Sequence, residues 1–383
     1  MKTTNSTKYF VAALLITSGC YFVRCARNQV IEDKKVPADA SVVQLNSSGP
    51  FVHPGILNTS TTLDFIRSEA NSTTTDRYND YQATIVAYTD TATLPTSFPS
   101  VVTVKGSGTT ATETQIKENA VFAYALALRF AKTGDTAYSH KAKIILNGWA
   151  YNFDHYEVAS GTTATQPDLE ASWVAPTFVA AAEIIRYYQP SGHSANWAAT
   201  DITQFKVFLN NLKDNYINNT LTSGHKQNWI ISAGYAKVAL GVFLDSRTVY
   251  DAGLKILTDS IGTVIYADGT MPELCSRTDC VHFQYSLNGL TYAAEIAREQ
   301  GQNTIFTIDR LSLGYGFMWK AYHDQFSCKQ CSTAKVYPAV EVAHRYYSSD
   351  TTGYLRGRQP PYGPSSDNTF LGFTTYTHRG VPL

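Results

Sequence analysis

The stretch Val121-Phe122-Ala123-Tyr124-Ala125-Leu126-Ala127-Leu128-Arg129-Phe130 decides the fold class. Val121, Tyr124, Ala125 and Leu128 stand at i, i+3, i+4 and i+7, the spacing that puts side chains on one face of an α-helix. Phe122, Leu126 and Phe130 widen that face, so the predicted helix, starting near residue 113, is buried around much of its circumference. Thr133-Gly134-Asp135 ends it, with glycine where a helix turns off. A second apolar stretch of the same kind covers 142–149. Others follow at 169–188, 203–217, 230–244, 249–265, 287–299, 305–322 and 336–347, most of them separated by short polar connectors. Strand-like signals are confined to Val101-Val102-Thr103-Val104 and the run from Phe370 to Tyr376. Helices of similar length joined by short loops read as antiparallel hairpins. One hairpin cannot bury both of its faces, so the hairpins must stack. No internal sequence repeat marks an open array. The expectation is therefore an all-α fold, an (α/α) toroid or barrel, occupying residues 51–383.

The balance of 31 Lys and Arg against 31 Asp and Glu gives no net charge. A nucleic-acid binder normally carries a basic excess, so that class is set aside. An anionic partner would have to be held by a local cluster of Arg, Lys and His. The 25 tyrosines suit either helix packing or the apolar faces of sugars.

Lys2 and Lys8 precede the apolar run from Tyr9 to Ile16, and small residues lead to Cys25-Ala26. This is the pattern of a secretory signal peptide over residues 1–26, too short for a membrane span. Thr17-Ser18-Gly19-Cys20 is a weaker lipoprotein-like alternative. Residues 27–50 carry mixed charge without periodicity and read as a poorly ordered segment. Asn46, Asn58, Asn71 and Asn218 open Asn-x-Ser/Thr patterns of a glycoprotein. With the signal removed, Cys275, Cys280, Cys328 and Cys331 remain. An even count in a secreted chain predicts two disulfides, with three connectivities open. Cys328-x-x-Cys331 has the spacing of a zinc knuckle, but Cys275-x4-Cys280 is too loose a partner for it.

Three segments carry candidate chemistry. In Ser223-Gly224-His225-Lys226-Gln227-Asn228-Trp229 the turn residues lead into an apolar helix. His225 and Asn228 then fall near a helix N-terminus, where backbone N–H groups favour anions; a simple helix cap explains the same pattern. The second segment runs from Asp268 to Tyr285. It crowds Arg277, Asp279, His282, Gln284 and Tyr285 into a long loop and the start of a helix near His282. His282 and Tyr285, three apart, share a helix face. The third, Tyr337 to Tyr347, sets Glu341, His344 and Arg345 close together, which ion pairing between turns also explains. His53-Pro54-Gly55 is a further candidate, to close the ring and add a subsite.

His53-Pro54-Gly55-Ile56-Leu57, Leu169-Glu170-Ala171-Ser172-Trp173, Ala181 to Tyr187, Asn228-Trp229, His282-x-Gln284-Tyr285 with Gly289-Leu290, and Tyr337-Pro338 with Glu341-Val342-Ala343 follow one another in an informative order. Over residues 51–350 this order resembles polysaccharide lyase family 38, and more distantly the family 5 alginate lyases. The resemblance implies an (α/α) toroid, lyase activity on alginate or glucuronan, and no cofactor or metal. It implies catalysis by an Asn, a His, an Arg and a Tyr. Tyr285 matches the Tyr, and Asn228 or His225 the amide and imidazole. The family's Arg-Asp pair before the His is altered here to Arg277-Thr278-Asp279. A family Asn further upstream would fall near Gln166, where this chain has none.

The chemistry explains the residue types. A uronate C5 proton is weakly acidic, and its removal leaves an enolate beside a carboxylate. Preorganised donors must neutralise that charge. A base then takes the proton and an acid protonates the leaving O4. In mannuronate and glucuronate the C5 proton and O4 lie on the same side of the ring, so one Tyr can serve both steps. The expected catalytic set is Tyr285 as acid and base, with His225, Asn228 and Arg277 as neutralisers and His282 as helper or alternative base. Trp173, Trp229, Gln166, Gln284, His344 and Arg345 are the expected substrate contacts. The expected protein is a secreted, extracellular monomer whose partner is an anionic uronate polysaccharide, with no nucleic acid and no membrane. Two alternatives predict different products. A glycoside hydrolase would use paired carboxylates, for which Asp268, Glu273 and Asp279 are available. A non-catalytic carbohydrate-binding protein would bind without turnover.

Overall fold

A computed structural model of the chain describes residues 49–277, 279–367 and 369–383. The segment expected to be a signal peptide and nearly all of the segment expected to be poorly ordered lie outside the described residues. The described residues belong to one compact unit.

The segment around Val121 forms the helix Ala111–Thr133, and its burial is as broad as the pattern predicts, from Ala120 through Leu128 without interruption. Thr110 caps its start by accepting the Glu113 N–H, and Gly134 ends it at φ 74°. Asp135 then caps the helix Thr136–Asn152. The three residues predicted to break the chain thus close one helix and open the next.

Two kinds of helix alternate. Ala111–Thr133, Gln166–Tyr187, Asn228–Phe243 and His282–Glu299 pack each against the next, and Ala339–Tyr347 follows beside the last. These are the inner helices: in Gln166–Tyr187 every residue from Gln166 to Ile185 is buried. The helices Thr136–Asn152, Arg247–Val264 and Asp309–Tyr322 lie outside them. Arg247–Val264 buries Tyr250, Gly253, Leu254, Leu257 and Ile261, a single stripe, as expected of a helix covered on one side. Its contact with Asn228–Phe243 is very close. A Cβ on Gly241 would lie 2.4 Å from the Tyr250 nitrogen, and one on Gly253 would lie 2.7 Å from the Val238 nitrogen. Inner helices paired with outer ones give the expected (α/α) toroid.

Two strand pairs complete the unit. Val101–Val104, predicted as a strand, pairs in parallel with His155–Val158. The second strand-like run is shorter than predicted. Phe370–Leu371 pairs with Ser365–Ser366, but the chain then turns into the helix Thr374–His378. The reason is a close approach at Gly372, where a Cβ would collide with the Gly363 carbonyl oxygen, followed by Phe373 at φ 58°.

The four cysteines pair as Cys275–Cys328 and Cys280–Cys331. They tie the loop carrying Arg277 to the segment after Asp309–Tyr322. The bridges span 53 and 51 residues, so chain-entropy reasoning assigns a large effect to each. A Cys280→Ser/Cys331→Ser variant is expected to lose ~2–4 kcal/mol in urea unfolding. Activity should fall further than stability alone explains, because the Arg277 loop keeps only one of its two anchors, Cys275–Cys328. An unchanged denaturation midpoint would show that the bridge does not constrain the fold. Among the described residues no helix is long and apolar enough to cross a membrane. Asn58, one of the glycosylation candidates, is buried and donates to the Tyr124 hydroxyl at 2.8 Å, so a glycan there is incompatible with this fold. Asn71 is exposed.

Candidate active site

A cleft of about 490 Å³ opens where the inner helices begin. Glu113 and Lys117 come from the first two turns of Ala111–Thr133, and Gln166, Glu170 and Trp173 from those of Gln166–Tyr187. Asn228 and Trp229 open Asn228–Phe243, and His282 and Tyr285 open His282–Glu299. Four helix N-termini therefore face one space. Each carries roughly +0.5 of an elementary charge in aligned peptide dipoles, which favours an anion there. This field is absent from a count of side-chain charges.

The floor of the cleft is a buried ion cluster. Lys117 Nζ lies 2.9 Å from Glu113 and 2.5 Å from Glu170. Burial alone would lower the Lys117 pKa, but the two carboxylates outweigh it and hold the ammonium above its ordinary range. Burial pushes Glu170 up, against the pull of Lys117. Gln166 donates to Glu170 at 2.9 Å. Lys117 also sits 5.3 Å over the Trp173 ring, whose Nε1 donates to Ser232.

On the opposite wall Asn228 Nδ2 donates to Glu273 at 2.5 Å, and Arg277 lies 3.7 Å from the same carboxylate. Burial raises the Glu273 pKa, opposed by Asn228, Arg277 and His282 in that order. Asn228 Oδ1 is buried and finds no partner in the protein. Asp279 accepts from the Val281 and His282 N–H groups and from His282 Nδ1, at 2.8–3.0 Å. This fixes the imidazole at the helix start and leaves Nε2 as its second ring nitrogen.

Tyr285 stands between these walls. Its ring meets Trp173 edge-on at 5.4 Å, Tyr337 at 5.5 Å and His282 at 5.4 Å. Burial raises its pKa, while hydrogen bonds to Tyr337 and Thr369 and the charge of Lys117 pull the other way. The Tyr337 hydroxyl in turn donates to the Asp367 carboxylate. The phenol is thus one member of a chain running Tyr285, Tyr337, Asp367. Among the described residues no group of three or more His, Cys, Asp or Glu side chains is placed to hold a metal ion.

The sequence model of one family, described as alginate lyase, matches residues 69–318. The chain belongs to the alginate lyase family. It is a polysaccharide lyase. No curated protein sequence matches it significantly. Among solved structures it is similar to a tyrosine-to-phenylalanine variant of alginate lyase A1-III complexed with a tetrasaccharide, at 16% identity and a TM-score of 0.63, covering 86% of this chain and 99% of that one. An alginate lyase from Bacteroides ovatus matches at 12% identity and a TM-score of 0.63, covering 86% and 100%. Alginate lyase A1-III from Sphingomonas species A1 matches at 17% and 0.61, covering 85% and 99%. At these identities the likeness speaks to the fold.

In this lyase the cleft brings together Tyr285, Asn228, Arg277, His282, Trp173, Trp229 and Gln166. Four expected site residues fall elsewhere. His225 stacks on the far side of Trp229, its centroid 3.8 Å away, and its Nε2 bonds Thr165. Gln284 is fully buried. It donates to the Cys280 and Lys335 carbonyls and accepts from the Tyr337 N–H, so it is a strut that fixes Tyr337 rather than a substrate contact. His344 and Arg345 lie near the C-terminal end of Ala339–Tyr347, whereas the cleft lies at the other end, beside Tyr337. Seven or eight helical residues separate the two ends by roughly 10 Å. Arg345 pairs there with Glu295 at 2.6 Å, and His344 with Thr352 at 2.9 Å. His53 is likewise held outside the cleft, by Glu183 at 2.9 Å and Asp245 at 3.0 Å. The carboxylates available to a hydrolase do not form a facing pair. Asp268 closes an exposed turn onto Thr270, Glu273 is tied by Asn228, and Asp279 holds His282. Lys117, Glu113, Tyr337 and Asp367 were not singled out as site residues in the sequence. Glu113 and Lys117 show only an i, i+4 pair, a pattern common on any helix surface.

Proposed function

We propose that this lyase cleaves a uronate polymer, alginate rich in mannuronate or glucuronan, by β-elimination with Tyr285 as acid and base. The observation that carries this reading is the position of the Tyr285 phenol. It stands in a cleft ringed by four helix N-termini, between the Asn228–Glu273–Arg277 group and Lys117. A uronate carboxylate seated against Arg277, Asn228 and His282 would have its enolate charge met as it forms. The Tyr285 oxygen takes the C5 proton, the C4–C5 double bond forms as the C4–O4 bond breaks, and the same proton passes to O4. Burial, with the charge of Asp367 behind it, holds the phenol protonated between turnovers, which favours the acid role. A base role then draws on the small phenolate population, which the hydrogen bonds to Tyr337 and Thr369 and the charge of Lys117 favour.

That balance sets a pH dependence. The Tyr285 pKa is raised, so phenolate is scarce at neutral pH and grows about tenfold per pH unit below that pKa. The logarithm of kcat/KM is expected to climb with pH through the alkaline range. A profile already flat above neutrality would move the base role to His282.

Secretion belongs to the same reading. Two disulfides persist in an oxidising compartment, and an extracellular polymer is met outside the cell. The placement nearest family 38 rests on the order of the sequence motifs. The direct test is ultraviolet absorbance during incubation with polymannuronate, polyguluronate and glucuronan in turn. A rise with polymannuronate or glucuronan establishes the elimination and names the polymer. New reducing ends without absorbance would overturn it.

A further inference from the structure

A second hollow, of about 820 Å³, borders the cleft across a thin wall. The wall is the His225–Trp229 stack, with Trp229 lining the cleft and His225 lining the hollow. The backbone beside it serves both spaces. Asn228 lines the cleft and Gln227 the hollow, and Gln227 adopts φ 59°, ψ −135°. A non-glycine residue held there is strained, and such strain concentrates at functional sites. The Pro272-Glu273 pair repeats the arrangement. Pro272 lines the hollow, and Glu273 accepts from Asn228 in the cleft wall.

The two spaces differ in charge. The cleft mixes cations with the carboxylates of Glu113, Glu170 and Asp367. The hollow is lined by no carboxylate, and Lys226 is its one formally charged lining residue among those described. Lys226 is exposed. Ser260 and Thr263 add polar groups, and the Tyr266 ring, 47% exposed, stands free on the rim. A lysine, hydroxyls and an open aromatic face suit the carboxylate, hydroxyls and apolar face of a hexuronate.

We propose that this hollow is a distal subsite that binds the uronate units lying beyond the reacting sugar, with the His225–Trp229 stack as the ridge the polymer crosses. The inference rests on the lyase reading above and adds where the rest of the chain goes. It gives His225 a role outside the chemistry and gives Gln227 a reason for its backbone.

The test uses the exposed pair Lys226→Ala/Tyr266→Ala, which touches neither the catalytic groups nor the core. With uronate oligosaccharides of increasing length, the native enzyme should gain in kcat/KM as chains become long enough to cross the ridge. The double variant should lose about tenfold in KM on polymer, the scale of a lost charge-assisted contact, and match the native enzyme on the shortest cleaved substrate. Equal kinetics of the two proteins on polymer would overturn the subsite, as would an equal loss on short and long substrates. Binding is measured separately by calorimetry on the Tyr285→Phe protein, with and without the double substitution. If no uronate polymer is cleaved by the native enzyme, the lyase reading fails. The hollow is then judged by calorimetry alone: polyuronate affinity that drops with the double substitution supports it, and unchanged or undetectable affinity overturns it.

Discussion

Tyr285→Phe is expected to lower kcat by on the order of 10²–10⁴, the range for removing a positioned acid–base group. KM should stay close to that of the native enzyme. The substitution deletes one oxygen and keeps the ring that packs on Trp173, Tyr337 and Phe370, so the fold should be unaffected. Loss in kcat without loss in KM is the signature of an interaction made in the transition state alone. Steady-state kinetics on the polymer that gives ultraviolet absorbance will read it. A kcat within about threefold of native would remove Tyr285 from the chemistry and leave His282 to carry it. Tyr337→Phe makes a useful companion. It breaks the link to Asp367 while leaving the Tyr285 hydroxyl in place, so it should shift the pH profile more than the maximal rate.

The second large effect is on stability. Lys117 is buried between Glu113 and Glu170, and Lys117→Met leaves two buried carboxylates without their counter-charge. Breaking a buried ion cluster by removing one partner costs about 3–5 kcal/mol. The cost has a defined pH dependence. Burial already raises the Glu170 pKa, and losing Lys117 raises it further. A carboxylate whose folded pKa lies above its unfolded value costs stability above the unfolded pKa. That cost disappears as protons are taken up when the pH falls. Urea unfolding should therefore show a large deficit at pH 7 that shrinks towards pH 5. A deficit below about 1 kcal/mol at pH 7, unchanged at pH 5, would mean that water reaches the cluster and screens it. The same variant should bind polyuronate more weakly, since the floor of the cleft loses its ammonium.

Much of this site could be read from the chain because it is written in local pattern. Asn228 and Tyr285 both fall at or near the first turn of a helix whose apolar run is evident in the sequence. The segment from Asp268 to Tyr285 announces itself by density. The mistaken substrate contacts share one cause. Gln284, His344 and Arg345 are polar residues on helices, and the sequence shows the helix but neither the neighbour each side chain meets nor the end of the helix that reaches the cleft. Gln284 is next to Tyr285 and yet points into the core, where three carbonyl and hydroxyl oxygens and one N–H satisfy it. His225, three residues from Asn228, sits behind Trp229 because the chain turns at Gln227.

The sequence by itself determined the helical class, most of the longer helices, the break at Thr133-Gly134-Asp135 and the even set of cysteines. These follow from periodicity, capping and composition, which act over a few residues. Only the tertiary structure decided which cysteines join and that four helix N-termini converge. It alone brings Lys117, 168 residues before Tyr285 in the chain, to the floor of the same cleft. Those outcomes depend on helices meeting across the ring, and close packing between segments far apart in sequence leaves no local pattern to read.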